Sequence, residues 1–170
     1  MWVQAMSKPT NLVLLIDDEP KIRRFIRAGF ELHGGFTVQE AEDAAAGLHA
    51  ATFNTPDLII LDLALPDRRG TEVLDLVRSW SNVPIIVLSV EANEEEKVRL
   101  LEAGADDYVV KPFGIAELIA RSHAALRRYF KSEKENPVVV TGPLSIDLVN
   151  RTVLLNNNQI KLEKTFTVAF

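Results

Sequence analysis

The sequence predicts an α/β protein: a doubly wound, five-stranded parallel sheet followed by a partial small antiparallel β-sheet. Three observations carry that expectation. Short, continuous apolar runs alternate with segments of helical period as far as Leu126, and unbroken apolar strands belong to sheets covered on both faces. Strict alternation of this kind implies parallel strands joined by right-handed crossovers. After Pro137 the texture changes to period-two alternation, which marks an antiparallel sheet with one covered face.

The elements follow in order. Leu12–Ile16 is the first strand. Pro20 fits the first turn of a helix, and Ile22, Phe25, Ile26 and Phe30 mark its apolar face up to Gly34-Gly35. Phe36–Glu40 is a second strand. Asp43 caps a helix running to Phe53, whose stripe is blurred by alanines. Leu58–Leu61 is the third strand. Thr71 is expected to cap a helix carrying Val73, Leu74, Val77 and Trp80, with Trp80 as a packing anchor. Ile85–Leu88 is the fourth strand, Glu94–Ala103 a helix stopped by Gly104, and Tyr108–Val110 the fifth strand. Ile115, Leu118, Ile119, Ser122 and Leu126 outline a last helix. The charged stretch RRYFKSEKENP, ending in Pro137, reads as a linker placed at 130–137. Beyond it Leu144, Ile146 and Leu148, then Val153–Leu155, then Ile160 and Leu162, form strands. A hairpin turn at Asn156–Asn158 joins two of them, since asparagine tolerates positive φ.

Composition narrows the function. With 170 residues the chain holds one ordinary domain and part of another. An apolar content of 47% suffices for a core, and a net charge of −5 argues against a general nucleic-acid coat. The absence of cysteine excludes disulfides and thiolate zinc sites. No apolar run reaches membrane-spanning length, and the start MWVQAMSKPTN has no signal-peptide pattern. A cytoplasmic protein without a membrane partner is the expectation. His33, His49 and His123 lack ligand spacing.

The chemistry lies at the strand ends. LVLLIDDEP runs from apolar residues straight into Asp17, Asp18 and Glu19. The third strand ends in Asp62, within LIILDLALP, and the fourth in Ser89, within IIVLSV. Lys111-Pro112 follows the fifth. Open parallel sheets bind ligands outside the carboxyl ends of their strands, so these groups converge on one crevice. Carboxylates that repel one another need a cation, and three of them with a backbone carbonyl suit Mg²⁺ beside a phosphate. Lys111 and Ser89 then face phosphoryl oxygens, and a carboxylate can itself accept the group as an acyl phosphate.

On the acidic pair of IDDEP, LIILDLALP, VLS and DDYVVKPF, the stretch 11–129 resembles the receiver domain of two-component response regulators. The resemblance implies a flavodoxin-like strand order 2-1-3-4-5 and a sensor histidine kinase as phosphodonor. It makes Asp62 the phosphoacceptor, with Mg²⁺ held by Asp17, Asp18, Asp62 and the backbone carbonyl of Ala64. Lys111 and Ser89 bind the phosphate, and Ser89 with Tyr108 forms the switch pair. The Lys111-Pro112 bond is expected to be cis. LEAGADDYVVKPF and the EL…R that follows resemble the winged-helix-output (OmpR/PhoB-like) subfamily. KPFGIAEL and IRRF further resemble Kdp-type regulators of potassium-transport genes. In that subfamily the positions of Lys97, Glu117, Asp107 and Arg121 form reciprocal salt bridges across a homodimer made on phosphorylation. One departure is Arg69 before Gly70, where an acid or small polar residue is common.

Residues 138–170 resemble the N-terminal sheet of a truncated winged-helix DNA-binding domain. DNA binding is therefore expected only of a full-length version, and a stand-alone phosphorylation-dependent module is the alternative. Ala64, two residues after Asp62, offers no group to orient an attacking water, so a persistent acyl phosphate is expected. The same residue argues against a phosphohydrolase of the haloacid dehalogenase type, which wants a second aspartate there. The implied protein is a phosphoacceptor and not a turnover enzyme.

Overall fold

The structure, a computed structural model, describes residues 10–135, 138–147, 152–156 and 158–160. The chain divides into two compact units, 1–127 and 128–170.

In the first unit, strands β1 (Asn11–Ile16), β2 (Phe36–Ala41), β3 (Leu58–Asp62), β4 (Ile85–Ser89) and β5 (Asp107–Val110) form one sheet in the order β2-β1-β3-β4-β5. Every pairing is parallel. Helices α1 (Pro20–Gly29), α2 (Ala44–Phe53), α3 (Gly70–Arg78) and α4 (Glu94–Glu102) provide the crossovers, and α5 (Ile115–Glu135), of which the part up to Arg127 belongs to this unit, gives the final cover. Alternation along the strands splits the core between two faces. Leu14, Ile16, Ile59, Leu61, Ile85 and Val87 pack with α2, α3 and α4. Val13, Leu15, Leu58, Ile60, Ile86 and Leu88 pack with α1 and α5 through Ile26, Phe30, Leu118 and Leu126. Each such side chain contributes about 1.5–3 kcal/mol on burial, which fixes the sheet and with it the positions of the strand ends.

Local chemistry explains the element boundaries. Pro20 opens α1. The helix then widens into a π-helical turn at Phe30–Gly34 and stops at Gly35, whose φ of 67° suits glycine. Asp43 caps α2 through a 2.7 Å bond from the Ala46 N–H. The weak apolar stripe of α2 is a close-packing face. A Cβ on Gly47 would come within 2.5 Å of Ile16, so only small residues let this helix sit against β1. At the end of the sheet away from the β-strand carboxyl termini, Arg78 donates to the carbonyls of Gly104, Ser81 and Val83 and to Asp106, at 2.8–3.1 Å.

Several expectations are corrected. Thr71 does not cap α3; the helix begins at Gly70 after Arg69, with no side-chain cap. The Gly70 N–H bonds to Leu63 O at 3.0 Å and brings the chain round one residue earlier. Trp80 lies in the turn after α3 and is 50% exposed, so it anchors little. Phe25 is also half-exposed, against Phe113. The stretch read as a linker is helical as far as Glu135, because its Arg, Lys and Glu residues are good helix formers.

In the second unit, β6 (Val138–Thr141), β7 (Leu144–Asp147), β8 (Thr152–Leu155) and β9 (Asn158–Ile160) make an antiparallel sheet in sequential order. Strand β6 was hidden in the sequence because three successive valines show no alternation. Asn156 turns the chain between β8 and β9 with φ 50°, and Asn158 already belongs to β9. Leu148 and Leu162 lie outside the described residues. Among the described residues, no helix is long and apolar enough to cross a membrane.

Candidate functional site

The parallel register brings the polar strand ends to one edge. Asp17 follows β1, with its N–H bonded to Ala41 O at the end of β2 at 3.1 Å. Asp62 is the last residue of β3 and lies opposite Leu88 of β4. Ser89 ends β4 opposite Val110, and its carbonyl accepts the Lys111 N–H at 2.7 Å. Both carboxyl-bearing residues in the middle of this edge are buried: Asp17 is 0% exposed and Asp62 3%. Asp18 is exposed beside them.

Lys111 supplies the positive charge that the acids demand. Its ammonium donates to Asp17 Oδ2 and Asp62 Oδ2, both at 3.0 Å, and lies 3.4 Å from Glu19 Oε1. Burial alone would lower its pKa, but the hydrogen bonds to Asp62 and Asp17 prevail and hold it above the ordinary value. Burial pushes the Asp17 carboxyl above the usual aspartate range, more strongly than the Glu19 N–H and Lys111 pull it down. Asp17 Oδ1 accepts that N–H at 2.8 Å. A buried carboxylate held by one lysine and next to a second carboxylate still favours more positive charge. One donor oxygen from each of Asp17, Asp18 and Asp62 lies within 4.8 Å of the others, a hard-oxygen set that fits a divalent cation such as Mg²⁺.

A cavity of about 500 Å³ opens over this edge, lined by Asp18, Glu19, Asp62, Ala64, Arg69, Thr71, Ser89, Glu91, Glu96, Arg99 and Lys111 among others. Ala64 donates its N–H to Asp62 Oδ1 at 3.3 Å. The Lys111-Pro112 peptide is cis. Ser89 Oγ accepts the Glu91 N–H at 3.1 Å. Tyr108, 5% exposed, donates its hydroxyl to the Glu91 carbonyl. Both switch candidates therefore end on the backbone of one residue, Glu91, in the β4–α4 loop.

The four residues expected at a dimer face behave differently. Within one chain Arg121 donates to Glu117 at 2.9 Å and to Asp107 at 3.1–3.2 Å. Those bonds raise its pKa, Glu117 contributing most and Asp107 next. Lys97 is exposed and forms no ion pair among the described residues.

Two residues that support the site escaped the sequence reading. Arg23 of α1 donates to the Asp17 carbonyl at 2.7 Å and to Glu40 at 3.2 Å, pinning the turn that carries the acids. A cation in the first helical turn, where the helix dipole disfavours it, was the available signal. Asp67, on the loop after β3, accepts the N–H groups of Ala44 and Ala45 at 2.9 and 3.0 Å and so anchors that loop to α2. No local pattern reveals a cap contributed from 23 residues away.

A buried carboxylate at the end of a parallel strand, flanked by two acids and a lysine, defines a class. The chain belongs to the response-regulator family: the model of the response regulator receiver domain matches residues 13–123. It is 44% identical over 156 residues to the transcriptional regulatory protein KdpE of Mycobacterium tuberculosis, covering 91% of this chain and 69% of the relative. It is 45% identical over 150 residues to the KDP operon transcriptional regulatory protein KdpE of Escherichia coli, covering 88% and 66%. With PrrA of Mycobacterium tuberculosis the identity is 40% over 154 residues, covering 89% and 66%. The chain thus spans about two thirds of the length of these relatives. Among solved structures, a receiver domain of a Francisella response regulator superposes with TM-score 0.68 at 36% identity, covering 71% of this chain and 99% of that one. DrrB of Thermotoga maritima, an OmpR/PhoB homolog, gives 0.63 at 27% identity, covering 92% and 68%.

Proposed function

We propose that this chain is a phosphorylation-switched regulator whose Asp62 accepts a phosphoryl group from a sensor histidine kinase in the cytoplasm, with control of transcription as the output. The observation that carries this reading is the placement of Asp62: buried, at the end of the central strand, and bonded at 3.0 Å to Lys111. An Asp62 oxygen attacks phosphorus as the P–N bond of the phosphohistidine breaks, and the imidazole leaves with its electron pair and takes a proton. Asp17, Asp18 and Asp62, with the Ala64 carbonyl, would hold Mg²⁺, which draws charge from the phosphoryl oxygens during transfer. Lys111 already lies against Asp62 and is placed to bind an oxygen of the group that Asp62 carries. Ser89 contributes a hydroxyl from the same cavity wall.

The relatives' names favour transcription as the output. Phosphorylation then biases Ser89 and Tyr108 and promotes a two-fold dimer through Lys97–Glu117 and Asp107–Arg121 pairs. Isologous contacts of this kind repeat each pair and suit a symmetric dimer. DNA binding belongs to a full-length version that carries a recognition helix.

The test is mass spectrometry after incubation with acetyl phosphate and Mg²⁺. The wild type gains one hydroxylamine-labile phosphoryl group and Asp62→Asn gains none. A labile phosphate on Asp62→Asn sinks the assignment.

A further inference from the structure

We infer that Arg69 is a second phosphate-facing cation of this site, one that recruits the anionic phosphodonor and holds the phosphoryl group alongside Lys111. The inference rests on the phosphoacceptor reading of Asp62 and concerns a residue that reading leaves without a role.

The backbone holds Arg69 close to the acceptor. Residues 64–69 form a closed lobe after β3, pinned where Ala64 and Arg69 pair as an isolated antiparallel bridge. Antiparallel partners lie about 4.5–5.5 Å apart between Cα atoms, so Arg69 stands beside the residue whose N–H touches Asp62 Oδ1. The next residue approaches closer still. A Cβ on Gly70 would come within 2.5 Å of the Asp62 carbonyl oxygen, which explains glycine there. Arg69 itself is extended, with φ −65° and ψ 137°, and lines the same cavity as Asp62 and Lys111.

Charge supplies the second argument. Of the three cations lining the cavity, Lys111 is engaged by Asp17, Asp62 and Glu19, and Arg99 by Glu96. The exposed Arg69 side chain has no hydrogen bond or ion pair among the described residues. An acyl phosphate brings a charge of about −2 to a crevice that already contains Asp17 and Asp18. A divalent cation and Lys111 together leave that sum negative, before Glu19, Glu91 and Glu96 are considered. One more cation brings the filled core of the site to balance. A planar guanidinium can also bind two phosphoryl oxygens at once. With acetyl phosphate as donor, an Asp62 oxygen bonds to phosphorus as the bond to the bridging oxygen breaks and acetate leaves. Arg69 stabilises the equatorial oxygens through that exchange.

The experiment compares wild type, Arg69→Gln and Arg69→Lys in the full chain. The rate of phosphoryl gain from acetyl phosphate with saturating Mg²⁺ is measured by mass spectrometry at low and high ionic strength. The expected result is a rate lower by about threefold to tenfold in Arg69→Gln at low salt, most of it restored in Arg69→Lys. The gap should shrink at about 1 M salt, where the screening length is about 3 Å. Equal rates for wild type and Arg69→Gln would overturn the inference while leaving Asp62 as the acceptor. An equal slowing of both variants that salt does not alter would also overturn it, because Arg69 would then act only through loop geometry. A wild type that takes no phosphoryl group would overturn the phosphoacceptor reading and this inference together.

Discussion

Replacing Lys111 by methionine removes one charge from the site and keeps most of the stem. The ammonium makes hydrogen bonds of 3.0 Å to Asp17 and Asp62, whose side chains are 0% and 4% exposed, and is itself 10% exposed. Water screens these bonds little, so the discount applied to surface pairs does not hold here. Removing one partner of a buried ion pair costs about 3–5 kcal/mol, because the remaining charge is left without compensation. Here two carboxylates remain, and Asp17 already favours its proton more than an ordinary aspartate does. Proton uptake softens the loss, which places it near 3 kcal/mol in metal-free buffer near neutral pH. Mg²⁺ at about 100 times its Kd stabilises by about 2.7 kcal/mol, and the variant should gain more from it than wild type, where Lys111 competes for the same oxygens. The sign of the alkaline behaviour follows from the raised Lys111 pKa. Its contribution is complete below the unfolded value of 10.5 and lost as pH rises through the higher folded value, so the gap between the proteins closes only there. Urea unfolding followed by far-ultraviolet circular dichroism, with EDTA or Mg²⁺, measures all three effects. A variant as stable as wild type in EDTA, or one that gains no more from Mg²⁺ than wild type does, would refute the reasoning.

Substituting Ala64 by asparagine or glutamate places a polar group two residues beyond Asp62, the proposed acceptor, and should change the decay of its acyl phosphate by about tenfold or more; identical hydroxylamine-sensitive half-lives would show the position to be irrelevant. Asp67→Asn should destabilise the protein at neutral pH, because the N–H groups of Ala44 first, then Ala45, hold its carboxyl below 3.8. That contribution is present above 3.8 and lost as pH falls through the depressed folded value, so unfolding midpoints of the two proteins should converge in acid and differ at neutral pH.

The site was legible because its logic is topological. Once five apolar runs are accepted as parallel strands, Asp17, Asp62, Ser89 and Lys111 must share an edge, and the structure places them there. Residues that act across the fold were not legible. Asp67 caps a helix from another loop, and Arg23 grips the Asp17 carbonyl from the next helix. Neither bond leaves a periodic trace. The boundaries of α3 and α5 depart from the sequence signals for opposite reasons. At α3 the local signal is Thr71, but the Gly70 N–H already closes the turn on Leu63 and the helix starts there. At α5 the charged run that reads as a linker is helical as far as Glu135, because its residues favour helix. Periodicity places Phe25 on the apolar face of α1, yet it stays half-exposed, with the Phe113 ring 6.3 Å away.

The polar network around Glu91 limits how the proposed switch can work. An exchange in which Tyr108 turns inward after Ser89 moves away requires an outward tyrosine at the start. Here Tyr108 is already buried and bonded to the Glu91 carbonyl, while Ser89 accepts the N–H of the same residue. A hydroxyl has one donor hydrogen and two acceptor lone pairs. Ser89 can therefore donate to a phosphoryl oxygen without releasing Glu91, and a phosphoryl group would strengthen this arrangement of the loop. A ligand shifts a population only by binding one state better, and in the proposed switch such a bond would supply that difference for the inward-tyrosine state. The proposed dimer face imposes a similar limit. Arg121 already has Asp107 and Glu117 within its own chain, so pairing across two copies replaces bonds without adding many. Exposed ion pairs contribute little in either arrangement. The free energy of association would come instead from Val98 and Leu101 on α4, 45% and 40% exposed, with the reciprocal charges fixing which way the two copies meet.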